Sequence, residues 1–112
     1  MIVREEANQL VLITQPDHAE IAGTFAGNWK ATAFRGYDRL EEVLFAVNEH
    51  DHCWKEADRL PLLDEETGIP YSFDNYPESI KTGLYRKGID HLERHHPYAA
   101  LLCSKHFSSF FA

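Results

Sequence analysis

The chain has 112 residues, 44% hydrophobic and 26% charged, a length that allows one hydrophobic core but not two. No apolar run approaches the ~20 residues of a membrane span, and the opening MIVREEANQL has two acids where a signal peptide would have its hydrophobic region. Eighteen acidic and eleven basic residues give a formal charge of −7, which opposes binding to nucleic acid or an anionic membrane. We therefore expect one cytoplasmic domain, residues 1–112, with neither nucleic acid nor membrane as partner.

The first predicted elements are a β-hairpin and a helix. Two β-rich runs, IVREE and LVLIT, are joined by ANQ, which favours a pair of antiparallel strands. The sequence TQPD then indicates a helix start, with Thr14 as N-cap, Pro16 in the first turn and Asp17 as the capping acid. This helix is expected to run from Gln15 to Trp29.

The rest of the chain predicts three more helices and one long loop. Apolar residues three and four apart in DRLEEVLFAVNEHDHCWKEAD predict a continuous second helix. Residues 59–77 are rich in Pro, Gly, Asp and Asn and predict a loop that packs onto the body through Tyr71, Phe73 and Tyr76. The runs ESIKTGLYRKGIDHLERHH and PYAALLCSKHFSSFFA predict a third and a fourth helix. The fold class is therefore mainly α, a bundle of about four helices with an N-terminal β-hairpin.

Three of these helices carry a histidine within the apolar face: His18 on the first, His50 beside Asp51 on the second, and His106 on the fourth. A single buried histidine is usually satisfied by backbone partners, and Asp51 can also pair with one protonated histidine in a structural network. A buried carboxylate among several imidazoles is alternatively compensated by a metal ion. The pattern thus predicts a site for a divalent Mn, Fe, Zn, Co or Ni ion formed by His18, His50, Asp51 and His106.

The order of these residues resembles the HD-domain superfamily of metal-dependent phosphohydrolases. The stretches that carry the resemblance are PDHAEIAGTF, with His18, and LFAVNEHDHCW, with the adjacent His50 and Asp51. The resemblance implies an HD-like bundle that holds one or two divalent ions and hydrolyses a small phosphorylated molecule. On that hypothesis Lys55 or Arg59, one and two turns beyond the metal pair, meets the substrate phosphate, although both also suit ordinary surface positions.

The wider sequence, including MIVREE, LVLITQPDHA and HPYAALL, looks like a bacterial family of uncharacterised proteins, a domain of unknown function, over essentially the whole chain. HD domains usually take a further metal ligand from an aspartate on a later helix, whereas no Asp follows Asp90 here. Four explanations stay open. The chain is an incomplete portion of a longer domain, or His106 substitutes, or a second subunit contributes, or catalysis has been lost.

Two other functions also stay open. One is a non-catalytic binding or assembly domain that keeps the His/Asp cluster as structure, and the other is an HD-like di-iron oxygenase, because the superfamily resemblance includes such members. The apolar fourth helix, with Phe107, Phe110 and Phe111, predicts a homo-oligomer. Cys53 and Cys103 are expected to be reduced and buried rather than nucleophilic.

Overall fold

The computed structural model describes residues 1–33 and 35–111, and it begins with the expected antiparallel hairpin. Strand β1 covers Ile2–Glu6 and strand β2 covers Gln9–Ile13, with Ile2 opposite Ile13. The turn between them places Ala7 at φ 45°, in the left-handed region that residues other than glycine rarely adopt. The hairpin is confirmed, with its joint one residue shorter than predicted because Gln9 already belongs to β2.

Five α-helices follow within the described residues: α1 Gln15–Gly27, α2 Leu40–Glu49, α3 Lys55–Arg59, α4 Glu78–Glu93 and α5 Pro97–Ser108. Single 3-10 turns occur at Ala31–Ala33, Tyr37–Arg39, His52–Trp54 and Ser109–Phe111. The predicted connection between the first two helices includes Phe34, which lies outside the described residues. A mainly α fold with an N-terminal hairpin is confirmed.

The prediction of one continuous second helix is wrong at His50 and Asp51. Helix α2 ends at Glu49, and the chain passes through the His-Asp pair into a 3-10 turn before α3 begins. The backbone N–H of Trp54 donates to the Asp51 carbonyl at 3.0 Å, three residues back rather than four. The Nδ1 atom of His50 lies 2.6 Å from the Val47 carbonyl oxygen, so this side chain satisfies a carbonyl where the helix ends. The break therefore coincides with the candidate site.

The core forms where α2 and α4 each pack against α5. The rings of Tyr85 and Phe107 stack with centroids 4.1 Å apart, and Trp54 is fully buried beside Tyr85. From the long loop, Phe73 and Tyr76 pack against this core, and Tyr76 meets the Trp54 ring edge to face at 5.0 Å. The predicted packing of the loop is thus confirmed for Phe73 and Tyr76, whereas Tyr71 contacts Tyr76 within the loop, with ring centroids 6.1 Å apart.

The C-terminal phenylalanines divide between core and surface. Phe107 is 4% exposed, whereas Phe110 is 46% and Phe111 47% exposed. Of the three phenylalanines from which a homo-oligomer was predicted, Phe107 is buried because it stacks on Tyr85 of α4, and Phe110 and Phe111 remain at the surface. In residues 1–33 and 35–111, no helix has both the length and the apolar character needed to cross a membrane.

Candidate metal centre

The first side chain of the site, His18, is fixed by the start of α1. The Oγ1 atom of Thr14 accepts a hydrogen bond from the backbone N–H of Asp17 at 3.2 Å, and Pro16 occupies the first turn. This cap sets where α1 begins, so His18 falls one turn in, on the side that faces the end of α2. His18 is half-buried there.

His50 and Asp51 come from the break after α2. The side chain of Asp51 is 6% exposed and that of His50 is 12% exposed, and the His50 Nε2 and Asp51 Oδ2 atoms are 3.1 Å apart. Because the Nδ1 atom of His50 contacts the Val47 carbonyl, which is an acceptor only, Nδ1 must carry a proton. The Nε2 atom then faces the carboxylate, and either a second proton or a metal ion can lie between them.

One potential ligand atom from each of His18, His50 and Asp51 lies within 4.8 Å of the other two. The imidazoles of His18 and His50 meet edge to face with centroids 5.9 Å apart. The structure thus brings together three of the four residues that the sequence assigned to a metal site. Two nitrogens and one carboxylate oxygen form a donor set that suits a divalent transition metal ion.

Asp51 is held from a second direction by Gln15, the first residue of α1. The Gln15 Nε2 atom donates to Asp51 Oδ2 at 3.2 Å, and the Gln15 backbone N–H donates to Asp58 Oδ2 at 2.6 Å. Asp58 also accepts from the Met1 amino group at 2.7 Å, and both acids are buried. The Oε1 atom of Gln15 is buried without a hydrogen-bond partner among the described residues.

Gln15 and Asp58 were missed as site residues, but a signal for Asp58 was present in the sequence. Asp58 follows Asp51 by seven residues, and Trp54 lies between them, so all three continue the apolar stripe of α2. Extending the stripe one step beyond Trp54 would have identified a second acid on the inner face. Gln15 gives no comparable signal, because a glutamine in a first helical turn is an ordinary surface residue.

The neighbouring charges act in opposite directions on His50 and His106. Burial opposes the charged form of His50, but the hydrogen bond and the negative charge of Asp51 outweigh it and raise the pKa of His50 above its ordinary value. Burial, assisted by the positive charge of His50, lowers the pKa of His106. A neutral His106 therefore stands beside the more basic His50.

His106 lies next to the cluster without forming part of it. Its ring meets that of His50 edge to face with centroids 5.0 Å apart, yet its nitrogens are not among the atoms within 4.8 Å of one another. The side chain is exposed to solvent. It lines an open cleft that also borders His18 and His50.

Lys55 and Arg59, which were predicted to meet a substrate phosphate, lie away from the cluster. Both are exposed on α3, and Arg59 lies 3.5 Å from Glu56 on the surface. Neither is among the described residues that line the cleft at the His/Asp cluster. His52 is exposed as well, and its Nδ1 atom is 3.5 Å from Glu49.

The cleft beside the cluster, here called the imidazole cleft, has a volume of about 450 Å³ and lies over α2, between α1 and α5. Its imidazoles are those of His18, His50 and His106. The rest of its lining is apolar: Ala22, Val43, Ala46, Val47, Leu102 and Cys103. A pocket of this size next to convergent polar groups is a typical small-molecule site.

Comparison with known proteins supplies a family and no activity. The family model with the description "Protein of unknown function (DUF3891)" matches residues 1–112. Searches of curated proteins and of solved structures found no match. The resemblance to an uncharacterised family is therefore confirmed, and the chain belongs over its whole length to the DUF3891 family of proteins of unknown function.

Proposed function

We propose that the chain is an HD-like metal-dependent hydrolase of a small phosphoester, with His18, His50 and Asp51 holding a divalent ion. The observation that carries the proposal is that three potential ligand atoms, one from α1 and two from the break after α2, lie within 4.8 Å of one another. The residue order His, then His-Asp, is the one that resembles the HD superfamily.

The residues present fit such an ion. The contact between His50 Nδ1 and the Val47 carbonyl fixes the ring orientation and leaves Nε2 as a ligand, which is a usual outer-shell arrangement in metal sites. The unpartnered Gln15 Oε1 atom, buried beside Asp51, can accept a hydrogen bond from a water held at the site. Mn, Fe, Zn, Co and Ni all accept this donor set.

When bound, a divalent ion supplies a Lewis acid for a phosphoryl oxygen and lowers the pKa of a coordinated water. Three protein ligands leave further coordination positions for substrate and water. His106, whose pKa is lowered by burial, presents a neutral imidazole beside the cluster and can accept a proton there. In this proposal His106 acts as a proton acceptor beside the ligand cluster and does not replace the later aspartate of HD domains as a ligand.

A second candidate is a non-catalytic binding or assembly domain with a structural His/Asp cluster. It is favoured by the 3.1 Å contact between His50 Nε2 and Asp51 Oδ2, because a protonated His50 compensates the buried carboxylate without a metal. The hydrogen bond from Gln15 to Asp51 adds to the same network.

Elemental analysis of the purified protein, followed by assay of a phosphoester panel that includes 4-nitrophenyl phosphate, separates these candidates. We expect about one transition metal ion per chain, and metal-dependent phosphate release that Asp51→Asn abolishes. His52→Ala removes an exposed histidine next to the site and serves as the matched control. Metal-free protein with no response to added Mn, Zn, Co or Ni would favour the structural cluster. Redox-active iron with O₂ consumption and no phosphate release would favour the oxygenase.

A further inference from the structure

The lining of the imidazole cleft is polar on one side and apolar on its other walls. One side carries the imidazoles of His18, His50 and His106, next to the buried Asp51. The other walls consist of six apolar residues from α1, α2 and α5. Among the described residues that line this cleft there is no Lys, Arg, Asp, Glu, Asn, Gln or Ser.

This lining restricts what can bind there. The hydroxyl groups of a sugar or the edges of a nucleobase would lose their hydrogen bonds to water and meet only methyl and methylene groups, at a cost of about 1 to 3 kcal/mol for each unpaired group. A hydrocarbon chain or an aromatic ring gains free energy on the same surface. The walls therefore favour phosphoesters with an apolar organic group over those with a polyhydroxylated one.

The charge distribution indicates the orientation of such a ligand. The lining has no Lys or Arg to pair with a phosphoryl group away from the histidines. Lys55 and Arg59 lie on α3 outside the cleft. The cationic character of the site thus depends on the imidazoles and on the metal ion that His18, His50 and Asp51 are proposed to hold.

We propose that the imidazole cleft binds a phosphoester whose organic part is a short alkyl chain or a single aromatic ring, with its phosphoryl group at the His18, His50 and Asp51 cluster. This inference rests on the proposed function, because the metal centre provides the positive charge. The apolar part lies over Ala22, Val43, Val47 and Leu102, away from the histidines.

A series of non-hydrolysable phosphonates tests this inference by binding rather than by turnover. Methyl-, propyl- and pentylphosphonate are titrated calorimetrically into zinc-loaded protein. We expect the affinity to rise about fourfold per methylene group, which corresponds to about 0.8 kcal/mol. 4-Hydroxybutylphosphonate has the same number of heavy atoms in its chain but a polar end, and we expect it to bind at least fivefold more weakly than pentylphosphonate.

Two variants in the cleft and one control outside it test whether the gain in affinity with chain length arises in the cleft. Val43→Thr keeps the shape of the side chain and replaces a methyl group with a hydroxyl, so we expect it to weaken pentylphosphonate several-fold and leave methylphosphonate within twofold. Ala22→Leu fills the cleft and has the same selective effect. Thr24→Val makes the reverse exchange at an exposed α1 position outside the cleft, so it leaves both affinities within twofold. A thermal melt of each variant confirms that it is folded.

The outcomes separate this inference from the metal centre. Equal affinity for methyl- and pentylphosphonate, with zinc still required, would overturn the apolar cleft and leave the metal centre standing. Alternatively, the affinity could rise with chain length while Asp51→Asn or chelation leaves the affinity of every phosphonate unchanged. That result would overturn the metal centre as the phosphoryl site, and with it the proposed orientation of the ligand. The protein could also be a dimer in solution whose affinity does not depend on chain length, with the dependence appearing only when dilution dissociates the dimer. That result would show that a second copy covers the cleft, and it would overturn the inference.

Discussion

The Gln15 Nε2 atom lies 3.2 Å from the Asp51 Oδ2 atom and joins the first turn of α1 to the break after α2. The backbone N–H of the same glutamine is bonded to Asp58, so one residue links two buried carboxylates. Gln15, which is outside the set of candidate metal ligands, therefore helps to hold Asp51 in position. Outer-shell contacts of this kind orient metal ligands in other proteins.

Gln15→Leu should weaken metal binding more than it affects folding. The substitution removes the hydrogen bond to Asp51 and also the unpartnered Oε1 atom, so these two contributions to stability oppose each other. We expect metal affinity to fall about 10- to 100-fold. Calorimetry with zinc measures the affinity, and a thermal melt of the apoprotein measures the stability. A purely structural glutamine would instead lower the melting temperature and leave zinc affinity unchanged.

Asp58→Asn should be strongly destabilising, because Asp58 accepts from the Met1 amino group and from the Gln15 backbone N–H in a buried environment. Removing one partner of a buried ion pair costs about 3 to 5 kcal/mol. Glu56→Gln makes the same carboxylate-to-amide change at an exposed position of α3, where about 0.5 kcal/mol or less is expected. Urea unfolding of both variants checks this. Equal midpoints would show that the buried pair adds nothing.

Two glycines of α4 should respond to alanine in opposite directions. A Cβ at Gly88 would lie 2.8 Å from the Cys53 Cβ atom, which cannot move without its backbone, whereas a Cβ at Gly83 meets nothing within 4 Å. Gly88→Ala should therefore lose about 1 to 3 kcal/mol through overpacking. Gly83→Ala should gain about 0.5 to 1 kcal/mol because glycine is unfavourable inside a helix. Chemical unfolding gives both values, and a stabilising Gly88→Ala would contradict the close approach of α4 to the Cys53 turn.

Cys103 should be inert to thiol reagents while the chain is folded. Its side chain is 2% exposed, and burial raises the pKa of the Cys103 thiol to about 11. Below that pKa the reactive thiolate fraction grows about tenfold per pH unit, so the slow native reaction should accelerate with pH. Cys53→Ser protein isolates this thiol for assay with a disulfide reagent, with denatured protein as the control. Complete reaction within seconds at pH 7 in the folded state would refute the buried position.

The sequence predicted the element types well because hydrophobic periodicity and capping are local signals. Thr14 and Pro16 define the start of α1, and the first and last residues of the long loop were placed close to where the structure has them. The break at His50 was not predictable in the same way. The apolar stripe passes through it without interruption, whereas the backbone leaves the α-helical conformation at Asp51, with φ −104° and ψ 9°.

The candidate site was predictable in part for a similar reason. Helical periodicity places His18, His50 and Asp51 on inner faces, and the structure brings their ligand atoms together. The positions of His106, Lys55 and Arg59 depend on the angles between helices, which residue spacing does not specify. His106 lines the cleft without joining the cluster, and Lys55 and Arg59 lie outside the cleft.

Zinc titration of the metal-free protein, followed by calorimetry, tests whether His18, His50 and Asp51 hold a metal ion. We expect one ion bound per chain, loss of that binding in Asp51→Asn and in His18→Ala, and unchanged binding in His52→Ala. Zinc at 100 times its dissociation constant should also stabilise the native chain by about 2.7 kcal/mol. A wild-type chain that binds no zinc and melts at the same temperature with and without it would show that these three residues form no metal site.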